Sequence, residues 1–175
     1  MSVQASVDVC RCERAWAVLA EVLDPEVPAL SICDLGIVRD VLLDGGTLVI
    51  VLTPTYSGCP ATEAIEAGVL AAIDAAGLGP ARVTLQRSPA WTTDWMSAAG
   101  RRQLSDYGIA PPGVVPAPDA PVPIRFFGRG APRPPSCPRC GSAATERLAA
   151  FGSTACKALY RCLACSEPFE HFKAL

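Results

Sequence analysis

Histidine is almost absent from this chain: His171 is the only one in 175 residues. The N-terminal half has no imidazole to pair with a thiol, so a Cys-His dyad is not expected there. No Ser-His-Asp set, phosphate-binding glycine loop or dinucleotide fingerprint is present either. Conventional catalysis lacks its usual groups, and activity of the isolated chain is not expected. Charge is sparse as well. Charged residues make up 18%, the net charge is −2, and no run of Lys or Arg occurs. Nucleic acid is therefore not the expected partner, because neutralising phosphates requires clustered cations. Long apolar runs are missing too. The longest, Val69 to Ala76, is broken by Asp74 and bounded by Gly68 and Gly77, well short of the ~18–20 residues of a membrane span. Met1 to Arg14 shows no signal-type apolar stretch. A cytoplasmic protein without membrane contact is expected, its thiols serving metal binding or reactivity rather than bridges.

What is present in quantity is apolar side chains, proline and cysteine. Half of the residues are hydrophobic, enough for a real core. Nine of the 17 prolines lie between Pro111 and Pro135. That stretch lacks helical periodicity and reads as an extended linker. It divides the chain into a domain over 1–110, a Pro-rich linker over 111–135 and a small module over 136–175. The apolar segment Val122-Pro-Ile-Arg-Phe-Phe127 inside the linker is a candidate added strand for either domain.

In the first domain, Trp16, Leu19, Ala20 and Leu23 recur at helical spacing, and Asp24-Pro25 ends that helix. Two β-rich runs, Gly36–Leu43 and Thr47–Thr53, are joined by Asp44-Gly45-Gly46 with hairpin chemistry. A second helix is expected from Pro60 to Ala76. Pro60 suits its first position, Gly77 its C-terminal end, and Ile65, Val69, Ala72, Ile73 and Ala76 its buried stripe. Ala81–Arg87 alternates, with Val83 and Leu85 on one face, and Ser97–Tyr107 reads as a last helix. The expected fold is α/β, a small α-β-β-α-β-α sandwich carrying a C-terminal four-cysteine ribbon.

The chemistry-bearing residues are mostly cysteines, nine in all. Cys137-Pro-Arg-Cys140 and Cys162-Leu-Ala-Cys165 are two Cys-x-x-Cys pairs with 21 residues between them. That is close to ribbon spacing. Two such pairs supply the four thiolates of a tetrahedral zinc site, with disulfides as the alternative. Cys59, in Thr53-Pro-Thr-Tyr-Ser-Gly-Cys-Pro60, lies between a strand and a helix. Backbone N–H groups and the positive end of the helix dipole favour a reactive thiolate in such a place. It could attack, bind a soft metal or hold an iron–sulfur cluster, or simply pack as a small residue. Asp24, Glu26 and Asp34 could ligate iron or cap turns. Cys33 could join Cys59 or be buried. Cys10 and Cys12 receive no role, Cys156 reads as a packed fifth thiol in the ribbon, and His171 is not needed as a ligand. Trp91 and Trp95 are either core or a partner surface.

Asp24-Pro-Glu-Val-Pro28, Asp34-Leu-Gly-Ile-Val38 and the block ending at Cys59-Pro60 resemble the signature blocks of the SufT-like iron–sulfur assembly domain. With Ser88-Pro-Ala-Trp-Thr-Thr-Asp-Trp95, Phe151-Gly-Ser-Thr-Ala-Cys-Lys157 and the ribbon, nearly the whole chain resembles the PaaD family. These are accessory subunits of the phenylacetyl-CoA 1,2-epoxidase system of aerobic phenylacetate degradation. The resemblance implies a maturation role, with Cys59 transiently handling iron or a cluster and Asp24, Glu26 and Asp34 lining the same region. It implies partners among the oxygenase subunits and the iron–sulfur/flavin reductase. A homodimer is left open, and the alternative is a purely structural subunit without metal transfer.

Overall fold

The computed structural model describes residues 3–113 and 134–175. The Val122–Phe127 segment lies outside them. The chain forms two compact units, Met1–Gly100 and Arg101–Leu175. The sequence-based boundary at 110 falls ten residues further on.

The first unit is mixed α/β. Strands β1 (Val38–Asp44) and β2 (Thr47–Leu52) form an antiparallel hairpin, and β3 (Ala81–Leu85) returns parallel to β2. The hairpin turns at Gly45 and Gly46, both at positive φ, as the Asp-Gly-Gly sequence demands. Strand β2 is central in the order β1-β2-β3. Leu48, Val49, Ile50 and Leu52 are all buried, so its near-continuous apolar run reflects burial on both faces. Between β2 and β3 runs helix α2 (Thr62–Ala75), which packs on β3 and on helix α1 (Val3–Leu19).

Helix α2 buries Ile65, Val69 and Ile73, with Ala72 and Ala76 half-buried at the margin of the stripe. It ends as Gly77 requires. Gly77 takes φ +61, its N–H donates to the Asp74 carbonyl, and the Leu78 N–H reaches back to Ile73. This paired closure satisfies carbonyls that the helix itself leaves open. Its start differs from the sequence expectation. Ala61 is the N-cap, so Pro60 lies outside the helix. The Thr62 N–H and hydroxyl both donate to the Cys59 carbonyl, at 3.2 and 2.8 Å. That closes a turn which delays the first helical residue to Thr62.

Helix α1 also departs from expectation. Its buried line is Ala15 and Leu19, whereas Trp16 is 36% and Leu23 is 53% exposed. The apolar face is therefore rotated by one residue. The helix stops at Leu19 because the following segment has other bonds. Asp24 N–H donates to the Leu30 carbonyl and Ile32 N–H to that of Val22, and Leu23 bridges to Ser31.

Helix α3 (Ala98–Tyr107) crosses the boundary between the units and leads into a two-residue strand, β4 (Ile109–Ala110). The second unit is a four-stranded sheet in the order β4-β7-β6-β5, with β5 at Thr145–Ala149, β6 at Lys157–Cys162 and β7 at Pro168–Phe172. Strands β5, β6 and β7 form an antiparallel meander, and β4 adds parallel to β7.

Candidate metal centre and cysteine loop

Each Cys-x-x-Cys pair of the ribbon sits on a tight turn that aims its sulfurs to one point. In the first turn the Gly141 N–H donates to the Cys137 carbonyl at 2.8 Å, and Gly141 takes φ +75. In the second the Cys162 N–H donates to Glu167 at 3.0 Å, and Ser166 adopts positive φ. Pairing of β5 with β6 places Thr145 opposite Cys162, and the Leu163 N–H donates to the Ala144 carbonyl. These links bring the two turns together.

The ligand atoms of Cys137, Cys140, Cys162 and Cys165 all lie within 4.8 Å of one another. Sγ of Cys137 is 3.8 Å from that of Cys165, and Sγ of Cys140 is 3.5 Å from that of Cys162. A disulfide needs about 2.05 Å, so these are separate thiols. Zinc–sulfur bonds of about 2.3 Å give a tetrahedron with edges near 3.8 Å. The four sulfurs therefore fit a structural zinc ion. The backbone N–H of Cys165, foremost, holds the Cys162 thiol down at about 6, whereas at Cys165 the Glu167 N–H is outweighed by burial and the neighbouring thiols, which push it up, so the set without a cation favours a single thiolate. Cys156 and His171 stand outside the set. Cys156 is buried, with its sulfur 3.0 Å from the Thr154 hydroxyl. His171 sets its ring edge-on to Tyr160 at 5.6 Å, and burial pushes its pKa down.

The Phe151–Lys157 block has a role that its spacing alone did not reveal. Lys157 is only 2% exposed, yet its ammonium lies 3.0 Å from the Glu170 carboxylate. The other oxygen of Glu170 accepts the Ser153 N–H. A Cβ on residue 152 would stand 2.5 Å from that same oxygen, so Gly152 is what lets the carboxylate in. The block is a lock that joins the β5–β6 connection to β7.

In the first unit, Cys59 is half-exposed in a loop fixed by its backbone. Its N–H donates to Tyr56 and its carbonyl accepts from Thr62. It lies two residues before the N-cap rather than at the helix start. The acidic residues are engaged locally. Asp24 is buried, and its Oδ1 accepts the Glu26 and Val27 N–H groups at 2.9 and 2.8 Å. Asp34 Oδ1 accepts the Ser97 hydroxyl at 2.5 Å, and its Oδ2 accepts that of Ser31 at 3.1 Å. Cys33 is half-buried, and burial, reinforced by the neighbouring Asp34 charge, pushes its thiol up to about 11. Among the described residues, the ribbon cysteines are the one group of three or more His, Cys, Asp or Glu with metal-binding proximity. Cys59 and the acids form no such group.

Two sequence blocks that are far apart turn out to be one structural unit. The Trp91 indole N–H donates to the Leu35 carbonyl at 3.0 Å, and Trp91 is 5% exposed. It is core, not a partner surface. A Cβ at Gly36, which takes φ +72, would meet the Trp95 carbonyl at 2.6 Å. The Arg39 guanidinium covers the Trp95 ring at 3.6 Å. Asp34 completes the joint through Ser97, whose hydroxyl also accepts the Gly100 N–H at 2.8 Å and starts α3. The residues at 34–36 therefore act as a seat for the 91–97 segment.

Comparison with known proteins places this architecture. An iron–sulfur cluster assembly protein model matches residues 13–85, and a PaaD zinc beta ribbon domain model matches 123–173. The chain is 48% identical over 173 residues to a protein of Escherichia coli (strain K12) described as a 1,2-phenylacetyl-CoA epoxidase subunit, covering 98% of each. The chain belongs to the PaaD family. The PaaD ribbon match begins at residue 123, inside the stretch that composition assigns to a linker. Among solved structures, the crystal structure of a domain of unknown function, DUF59, from Bacillus anthracis is 28% identical, with a TM-score of 0.53. The match covers 57% of this PaaD chain and 96% of that one, which gives the first unit its fold. No helix among the described residues is long and apolar enough to cross a membrane.

Proposed function

We propose that the protein is an accessory subunit of a phenylacetyl-CoA epoxidase system that assists iron or iron–sulfur cluster assembly on the oxygenase or its reductase. The observation that carries this reading is the combination, in one chain, of an iron–sulfur assembly domain and a PaaD ribbon, with 48% identity to an epoxidase subunit. Cys59 is the residue assigned to handle iron or a cluster, transiently and as cargo. Its thiol is half-exposed and has no partner among the described residues. Asp24, Glu26 and Asp34 shape the loops of the same domain. The working division is an assembly domain over 1–110, a linker over 111–135 and a zinc ribbon over 136–175, the ribbon acting as the docking module. The partners are the oxygenase subunits and the iron–sulfur/flavin reductase, in the cytoplasm.

The test is Cys59→Ala in cells that carry the whole system. Cluster content of the reductase and epoxidase activity should fall severalfold while the ribbon still folds. Normal values of both would overturn the reading. One observation favours the structural alternative: Asp24 and Asp34 are already bonded in place, and no three-ligand set among the described residues surrounds Cys59. That alternative expects Cys59→Ala to be silent and the protein to co-purify stoichiometrically with the oxygenase.

A further inference from the structure

Strand β2 ends at Leu52, and the loop that follows lines a partly open cavity of about 120 Å³. The polar residues among its lining are Thr53, Thr55, Tyr56, Ser57 and Arg87, and Trp91 lines it as well. Three observations about this lining converge. Thr53 is 1% exposed, and its hydroxyl makes no hydrogen bond among the described residues. Its backbone is pinned by the Thr53 N–H bond to Ile37 at 2.8 Å, so the residue has little freedom to seek a partner elsewhere. Buried hydroxyls are nearly always paired, and an exception points to a missing water, ion or ligand. Arg87 is likewise without a hydrogen-bond or ion-pair partner among the described residues. Finally, no carboxylate among the described residues lines the cavity.

A guanidinium and several hydroxyls around a space without carboxylates make a donor-rich, electropositive pocket. Guanidinium presents a planar fork that matches an oxyanion. The volume exceeds what a single water needs by roughly tenfold, and it suits one small ion rather than a nucleotide. We propose that this cavity binds a small oxyanion, inorganic sulfate or phosphate or a carboxylate group, through Arg87 and the Thr53 hydroxyl. The site is separate from the ribbon metal, and it stands whether or not Cys59 handles iron.

The full-length, zinc-loaded protein is titrated with sulfate, phosphate and acetate, at an ionic strength held constant with sodium chloride. Amide shifts of residues 53–57 and the Trp91 indole N–H are followed by NMR. Saturable shifts confined to this loop are expected with at least one of the three. Preference for sulfate or phosphate assigns a tetrahedral ion, and preference for acetate assigns a carboxylate. Arg87→Gln, a substitution at an exposed position, should weaken binding about tenfold or more, with Arg87→Lys in between. The near-isosteric Thr53→Val should weaken it severalfold in a protein that keeps its spectral dispersion. The proposal fails if no anion gives a saturable shift. It also fails if Arg87→Gln binds like the parent, or if Thr53→Val raises stability and leaves affinity unchanged. Because Cys59 is untouched throughout, this failure is distinct from failure of the iron-handling reading.

Discussion

Gly36 is a residue whose replacement meets two obstacles at once. It holds φ +72, and a Cβ would stand 2.6 Å from the Trp95 carbonyl. Gly36→Ala should therefore lower stability by about 2 kcal/mol or more, since left-handed strain and a backbone clash add. A urea titration followed by tryptophan fluorescence checks this. The Lys157–Glu170 pair makes a similar case in the ribbon. Removing the carboxylate strands an almost fully buried ammonium, so Glu170→Gln should cost roughly 3 kcal/mol, whereas replacing both residues by apolar ones should cost far less. Titration adds a third expectation. Burial lowers His171 from its ordinary 6.5, so the folded state binds that proton less readily than the unfolded chain. The stability it contributes is complete above pH 6.5 and is lost as pH falls below it. For Glu170, burial opposes ionisation, but the Ser153 N–H and Lys157 outweigh it and hold the carboxyl below 4.5. Its contribution is lost only in that lower range. With zinc in excess, the urea midpoint of His171→Gln should lose the slope the parent shows just below pH 6.5 and keep the slope below 4.5. At this scale the sequence displayed the residues but not their partners. The spacing Asp34-Leu-Gly36 is visible, yet its meaning depends on Trp95 and Ser97, far along the chain.

Among the elements, those governed by local rules were the legible ones. The hairpin at Gly45-Gly46, the glycine-closed end of α2 and the strand over 81–85 follow from turn chemistry and period. Helix α1 was harder to read because Trp16 and Leu23 are apolar but exposed, which makes the wrong stripe look right. The helix start near Cys59 was misplaced because Thr62 bonds back to the Cys59 carbonyl, and proline preference does not report that. The ribbon is the element that depends on an ion. Its buried cluster of Ala110, Cys137, Cys162 and Phe169 is small and includes two of the metal ligands. Stripping zinc with a chelator, or Cys162→Ser, should abolish amide protection in β5, β6 and β7 and leave that of β1 and β2 intact. Structural zinc contributes on the order of 10 kcal/mol to such folds, more than this cluster can replace. Hydrogen exchange with and without chelator reads the two units separately.

For the molecule as a whole, the family was legible because its blocks are contiguous in sequence. The assembly-like domain and the ribbon could each be recognised from short stretches. What could not be read was the short strand that heads the sheet of the second unit. Strand β4 has only two residues, too few for any periodicity. It pairs Ile109 with Glu170 and Ala110 with His171, so the exit from α3 covers the outer side of β7. A ribbon cut free at residue 136 would leave the backbone donors and acceptors of that strand bare, a template on which other copies can add. One cut at 101 keeps its own cover. Sedimentation of the two zinc-loaded fragments should show self-association of the shorter and a monodisperse longer one. Two residues that carry no chemistry would then be what keeps the ribbon from aggregating.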